Sequence, residues 1–140
     1  MSTIKYSVLP LLIFGASFLP LFNTTTVPQW RVQFVRKDGS PISNTMIRQT
    51  WHDYSLDFFK EVQRDTLSTD AFGTVEFPAR IETRSAFGIA LGRLRDLLAS
   101  VNPHASYGNH SYVFCMPDIR GCSVGYKGNE TPVARVVVDE

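Results

Sequence analysis

The residues able to do chemistry in this chain are few: His52, His104 and His110, the pair Cys115 and Cys122, and serines and aspartates scattered around them. His104 and His110 have five residues between them and, with Asp118 or His52, could converge on a metal ion or a bound substrate, because imidazole is both a zinc ligand and a base near neutral pH. The spacing gives that reading little help. No two histidines stand at i,i+4 on a helix, so each reads more simply as a loop or edge-strand residue bonded to backbone or water. The cysteines are separated by six residues that include Pro117 and Gly121. With His110 they would still lack a fourth zinc ligand, whereas in an exported protein such a pair forms a disulfide between neighbouring strands. Closing so short a loop contributes about 2 to 3 kcal/mol on the chain-entropy account. No Gly-x-Ser-x-Gly elbow presents a serine nucleophile. The expectation is a module with no catalytic residue, no metal site and no cofactor.

Binding is the remaining chemistry, and the aromatic residues carry it. Most of them should fill a core, since sandwiches are packed with large inward side chains. The exceptions are expected in loops, where a rigid scaffold presents its contact surfaces. Two such loops stand out: Trp51 to Phe59, with Trp51, Tyr54, Phe58 and Phe59, and His104 to Asn109, with His104 and Tyr107. Asn23, Asn109 and Asn129 each begin an Asn-x-Ser/Thr triplet, an acceptor for sugar only in a cell that glycosylates.

The elements that must position these loops are mostly strands. Trp30, Val32 and Phe34 alternate with Arg31 and Gln33, and Asp38-Gly39 follows as a turn. Thr45 to Tyr54 is rich in β-branched and aromatic residues, although Ile47 and Trp51 compete with Met46 and Tyr54 for the inward face. A loop from Ser55 leads to a strand near Val62 to Leu67, and Thr69-Asp70-Ala71-Phe72-Gly73 turns into a short strand at Thr74 to Phe77. The region Arg80 to Val101 changes rhythm. Phe87, Ala90, Leu91, Leu94, Leu97, Leu98 and Val101 recur at three and four residues, which predicts an amphipathic helix over about 86–101, capped by Thr83 or Ser85 and stopped at Asn102-Pro103. Gly88 and Gly92 share one of its faces. Three strands, His110 to Met116, Cys122 to Tyr126 and Val133 to Val138, complete the pattern as an antiparallel meander.

The amino-terminal segment is of another kind. Between Lys5 and Arg31 no residue is charged, and Val8 to Phe22 is almost wholly apolar. A short positive region followed by an apolar stretch is the layout of a secretory signal, with Gly15-Ala16-Ser17 as small residues for cleavage; a retained membrane anchor through residues 8–22 is the alternative. The expected organisation is a signal peptide or anchor over 1–23, a linker over 24–29 and one domain over 30–140, of about 110 residues. With Lys5 in the leader, the remainder carries 13 basic and 13 acidic residues. Such a balance does not attract nucleic acid.

Val32 to Arg48, which holds Asp38, Gly39, Pro41 and Ile42, and the run Thr69 to Pro78, with Asp70, Gly73 and Phe77, resemble the carboxypeptidase regulatory-like and transthyretin-like β-sandwich domains. In those families a strand ends at a glycine turn, a Pro-hydrophobic pair opens the next strand, and a Thr-Asp-x-x-Gly turn precedes a short apolar strand. The resemblance covers about a third of the chain and implies architecture, a single antiparallel Greek-key β-sandwich, rather than chemistry. One transthyretin-like group hydrolyses hydroxyisourate and carries a Tyr-Arg-Gly-Ser carboxyl terminus; this sequence ends Val-Val-Val-Asp-Glu, so that activity is not carried over. The expectation is an exported or membrane-tethered, non-catalytic sandwich binding a protein or glycan outside the cytoplasm. A small hydrolase or metal-dependent enzyme using the histidines is the second reading. A structural unit of an envelope assembly, docking through the helix face of Gly88 and Gly92, is the third.

Overall fold

Strand alternation builds two facing sheets. The computed structural model describes residues 5–57, 59–102, 104–117, 119–128 and 130–138; Phe58, Pro103, Asp118, Asn129, Asp139 and Glu140 lie outside them. β2 (Trp30–Arg36) pairs antiparallel with β5 (Thr74–Phe77) and parallel with β9 (Arg135–Val138), giving a three-stranded sheet in the order β5-β2-β9. β3 (Met46–Asp53) lies between β4 (Gln63–Ser68) and β7 (Asn109–Met116), with β8 (Ser123–Lys127) beyond β7, all antiparallel. Trp30, Val32, Phe34, Val75, Phe77, Val136 and Val138 from the first sheet meet Ile47, Val113, Cys115 and Tyr126 from the second in one buried cluster. The arrangement is sandwich-like and mainly β.

The turns explain the glycines. Asp38 accepts a hydrogen bond from the Ser40 amide at 2.8 Å, and Gly39 takes φ +84°. Thr69 Oγ1 donates to the Ile42 carbonyl at 2.8 Å and accepts the Thr45 amide at 3.0 Å, tying the turn beneath the first sheet to the start of β3. Asp70 Oδ1 accepts the amides of Phe72 and Thr74, both at 2.8 Å. Gly73, at φ +73°, passes so close to β2 that an added Cβ would stand 2.4 Å from the Phe34 carbonyl oxygen. Cys115 and Cys122 are joined as a disulfide across the β7–β8 turn, with their Cα atoms 5.6 Å apart.

Several elements differ from the sequence expectation, each for a physical reason. Residues 24–29 are not an unpaired linker. Pro20–Val27 forms β1 and pairs antiparallel with β6 (Arg80–Ser85), the β-branched run Thr24 to Val27 lying opposite Arg80 to Glu82. Arg80 to Ser85, expected as the approach to the helix, is therefore strand. The apolar leader is divided: helix α1 (Lys5–Ala16) ends before Phe18, and the chain then turns into β1. The final strand does not close a meander, because its valines reach the other sheet and run parallel to β2. The inward face of β3 is Ile47, Gln49, Trp51 and Asp53. Helix α2 (Ala86–Ala99) stands where periodicity puts it, with Ser85 Oγ accepting the Gly88 amide as its cap.

β1 and β6 form a ribbon over the part of the inner face that the three-stranded sheet leaves uncovered. Its attachment is apolar through Val27, which joins the buried cluster, and polar through β6. Arg80 donates from Nε and Nη2 to Gln49 Oε1 at 3.1 and 2.9 Å, bonds Asp65 at 2.7 Å, and stacks its guanidinium 4.2 Å from the centre of the Trp51 ring. Gly73→Ala is expected to cost about 2 to 4 kcal/mol, because positive φ and a backbone clash add. Gly39→Ala, with φ strain but open space, should cost about 1 kcal/mol. Equal costs in chemical denaturation would refute the close approach at Gly73. Replacing both cysteines by alanine should remove about 2 to 3 kcal/mol in the same measurement.

Candidate functional site

The two aromatic loops expected to carry contacts converge at one end of the four-stranded sheet. β3 ends at Asp53, whose carboxylate accepts the amides of Ser55 at 2.9 Å and Leu56 at 3.1 Å and so bends the chain sharply. The neighbouring loop reaches β7 through Gly108 at φ +72°. The Tyr54 amide donates to the Gly108 carbonyl at 3.0 Å, and the Gly108 amide returns to Ser55 Oγ at 2.6 Å. Ser55 Oγ in turn donates to Asp96 on α2. Three segments distant in sequence are thus knotted through one buried hydroxyl.

Gly92 makes the third approach possible. It is the one buried residue of α2, and a Cβ there would meet Leu56 Cδ2 at 2.2 Å and the Ser55 carbonyl at 3.3 Å. The helix face expected as a docking surface is therefore already occupied by the Ser55-Leu56 turn. Gly88 meets only its own cap, Ser85 Oγ, at 3.1 Å.

Between these segments lies an open cavity of about 510 Å³, lined by Asp53 and Ser55 from the first loop, Tyr107 and Asn109 from the second, Arg93 and Asp96 from α2, and Lys127 from the end of β8. The Lys127 ammonium stands 5.1 Å from the centre of the Tyr107 ring. Asn109 donates to the Thr25 carbonyl of β1 at 3.3 Å. The lining therefore mixes one aromatic face with carboxylate, amide and cationic groups, a set that binds hydroxyl-rich or zwitterionic ligands rather than purely apolar ones. Ser55 Oγ is locked between Asp96 and the Gly108 amide, and among the described residues no hydrogen bond joins it to an imidazole.

The other predicted residues are placed differently. Trp51 is buried beneath Arg80 and belongs to the core, not to the contact surface. Phe59 projects fully into solvent, and Phe58 lies outside the described residues. Tyr54 stands edge-on between His52 and His110, at 4.6 and 5.0 Å between ring centres. Burial lowers the His110 pKa, and its Nε2 lies 3.1 Å from the Tyr107 carbonyl, which makes that nitrogen the protonated one. His104 is exposed, its amide held by Asn102 Oδ1 at 3.0 Å. Among the described residues, no three His, Cys, Asp or Glu side chains are grouped to hold a metal. Arg93, Asp96 and Lys127 escaped the sequence reading. A signal was present for one of them, since Gly88, Gly92 and Asp96 fall at four-residue steps on one helix face.

Below the cavity, an ion pair fastens the first loop to β6. Arg84 bonds Asp57 at 2.7 Å with both side chains almost wholly buried, and Lys60 lies 3.2 Å from the same carboxylate. Burial pushes the Asp57 carboxyl up, but Arg84 and Lys60 outweigh it and hold it below its ordinary value. Asp53 is the reverse: burial raises it, and the two turn amides only partly offset that. No protein-family model matches the chain, and neither the curated proteins nor the solved structures contain a match to it.

The two carboxylates have opposite effects on stability against pH. Asp57, with its folded pKa lowered, stabilises above the ordinary carboxylate pKa of about 3.9, and that contribution is lost as pH falls through the lowered value. Asp53, with its folded pKa raised, is penalised when charged, so its contribution is greatest in acid and declines as pH rises through its raised value. Asp57→Asn is expected to lose about 1 to 3 kcal/mol at pH 7 and to flatten the acid limb of a thermal-stability profile. Asp53→Asn, which keeps an oxygen for the turn amides, should be neutral or stabilising at pH 7. Parallel profiles for Asp57→Asn and the parent would contradict the assignment.

Proposed function

We propose that this chain is an exported, non-enzymatic β-sandwich module that holds the end of a glycan in the cavity between the Tyr54-Asp57 turn, the Tyr107-Gly108 loop and α2. The observation that carries the reading is the lining itself. Tyr107 offers a ring face to the C–H side of a sugar, while Asp53, Asp96, Asn109, Arg93 and Lys127 offer the acceptors and donors that hydroxyl groups require. A volume of about 510 Å³ suits one or two sugar rings. The buried Cys115–Cys122 disulfide fits an oxidising compartment, and the uncharged stretch between Lys5 and Arg31 fits an export signal or an anchor.

The architecture is consistent with a Greek-key sandwich of the carboxypeptidase regulatory-like and transthyretin-like kind. Support comes from the turns at Asp38-Gly39 and Thr69 to Gly73, and from a chain that changes sheet between β2 and β3, between β4 and β5, and between β8 and β9. The β1–β6 ribbon and α2 are additions to that frame.

Titration with mono- and disaccharides, followed by amide chemical shifts, tests the function. The expected result is perturbation confined to Tyr107, Gly108, Asn109, Lys127 and the Asp96 turn of α2. Tyr107→Ala should weaken binding roughly tenfold while leaving thermal stability within about 0.5 kcal/mol. Shifts confined to the outer His52-Tyr54-His110 face, or none with any saccharide, would overturn the reading.

A further inference from the structure

Helix α2 is turned inside out relative to an ordinary surface helix. Its small and polar residues Gly92 and Asp96 face the protein, against Leu56 and Ser55, whereas its apolar stripe points outward. At 100° per residue, Phe87, Leu91, Leu94 and Leu98 fall on one side, opposite Gly92 and Asp96. All four are exposed, Leu94 to 53% and Leu98 to 65%. The protein's own core therefore does not account for this periodicity.

α1 extends the same surface. Leu11, Leu12, Ile13 and Phe14 occupy four successive helical positions, which together sweep most of the circumference, and each is more than 60% exposed. From Leu9 to Phe14, α1 presents no polar side chain to water. The two helices are joined: the Phe87 amide donates to the Ser17 carbonyl at 3.0 Å, and the Phe18 and Phe87 rings stack with centres 4.6 Å apart. Leu21 and Phe22 of β1, also exposed, continue the patch.

We infer that this two-helix surface lies in the interfacial layer of a lipid bilayer, α2 by its leucine stripe and α1 by its apolar stretch from Leu9 to Phe14. Two observations select lipid over a second copy of the chain. From Leu9 to Phe14, α1 exposes apolar side chains around its circumference with no polar stripe between them, a surface that acyl chains cover more completely than one partner face. No described helix is long and apolar enough to cross a membrane; the 12 residues of α1 extend about 18 Å against a hydrocarbon core of about 30 Å, so α1 lies within the layer. Charge is compatible with the fit: the helix's only acid, Asp96, is on the side away from the stripe.

Flotation of the full chain with vesicles of phosphatidylcholine and phosphatidylglycerol tests the inference. The parent should float, and the triple variant Leu91→Glu, Leu94→Glu, Leu98→Glu should partition about tenfold less or weaker still. All three positions are exposed, so the variant should keep its circular dichroism and thermal midpoint. Leu94→Trp adds a reading independent of α1. Its new indole should be quenched by lipids brominated on their acyl chains, while Trp30 and Trp51, both buried, are not. Equal flotation of the triple variant together with an unquenched indole would overturn the role of α2. A dimer that the triple variant splits, in a protein that ignores vesicles, would assign the surface to a second copy instead.

Discussion

The half of the structure that carries the cavity depends on how the side-chain oxygen of Gln49 is satisfied. The four-stranded sheet offers an inner face longer than the three-stranded sheet can cover, and Gln49 sits fully buried where apolar cover ends. A buried amide oxygen without partners is costly, and here the oxygen alone is paired, since among the described residues Gln49 Nε2 has no hydrogen-bond partner. Arg80 supplies two donors to that oxygen, brings Asp65 as its own counter-ion and covers Trp51 with its guanidinium plane. That one arginine begins β6, so the ribbon is positioned by this polar contact together with Val27 in the buried cluster, and α2 follows it. The Asp57–Arg84 pair repeats the device further along the same strand.

Most of the sandwich was legible because its rules are local. Alternation located β2 and β5, the Asp-Gly and Thr-Asp-x-x-Gly runs located the turns, and three- and four-residue recurrence located α2 to within two residues at its end. What was not legible required knowledge of partners. Thr24 to Val27 reads equally as linker or strand until Arg80 to Glu82 is placed opposite, and Val136 and Val138 alternate alike whether their neighbour runs parallel or antiparallel. β3 was ambiguous because its inward face mixes Ile47 and Trp51 with Gln49 and Asp53, a polar content that only Arg80 and the turn amides make tolerable.

The candidate site was half legible for the same reason. Tyr107 and the turn after Asp53 belong to loops marked by composition, and hydrogen bonds between Tyr54, Ser55 and Gly108 bring them together. Arg93, Asp96 and Lys127 come from regular elements, where a charged residue ordinarily signifies only a wet face. Trp51 misled because an aromatic residue near a strand end looks available until a cation is seen lying on it.

The disulfide and the cavity occupy opposite ends of β7. From Asn109 to Cys115 the strand runs about 20 Å, clamped covalently at one extremity and held at the other by hydrogen bonds through Gly108. A beam fixed so has its stiffness and its give in different places. A rearrangement at the cavity rim would therefore leave the sulfur linkage undisturbed, the oxidised end keeping the register of β7 with β8.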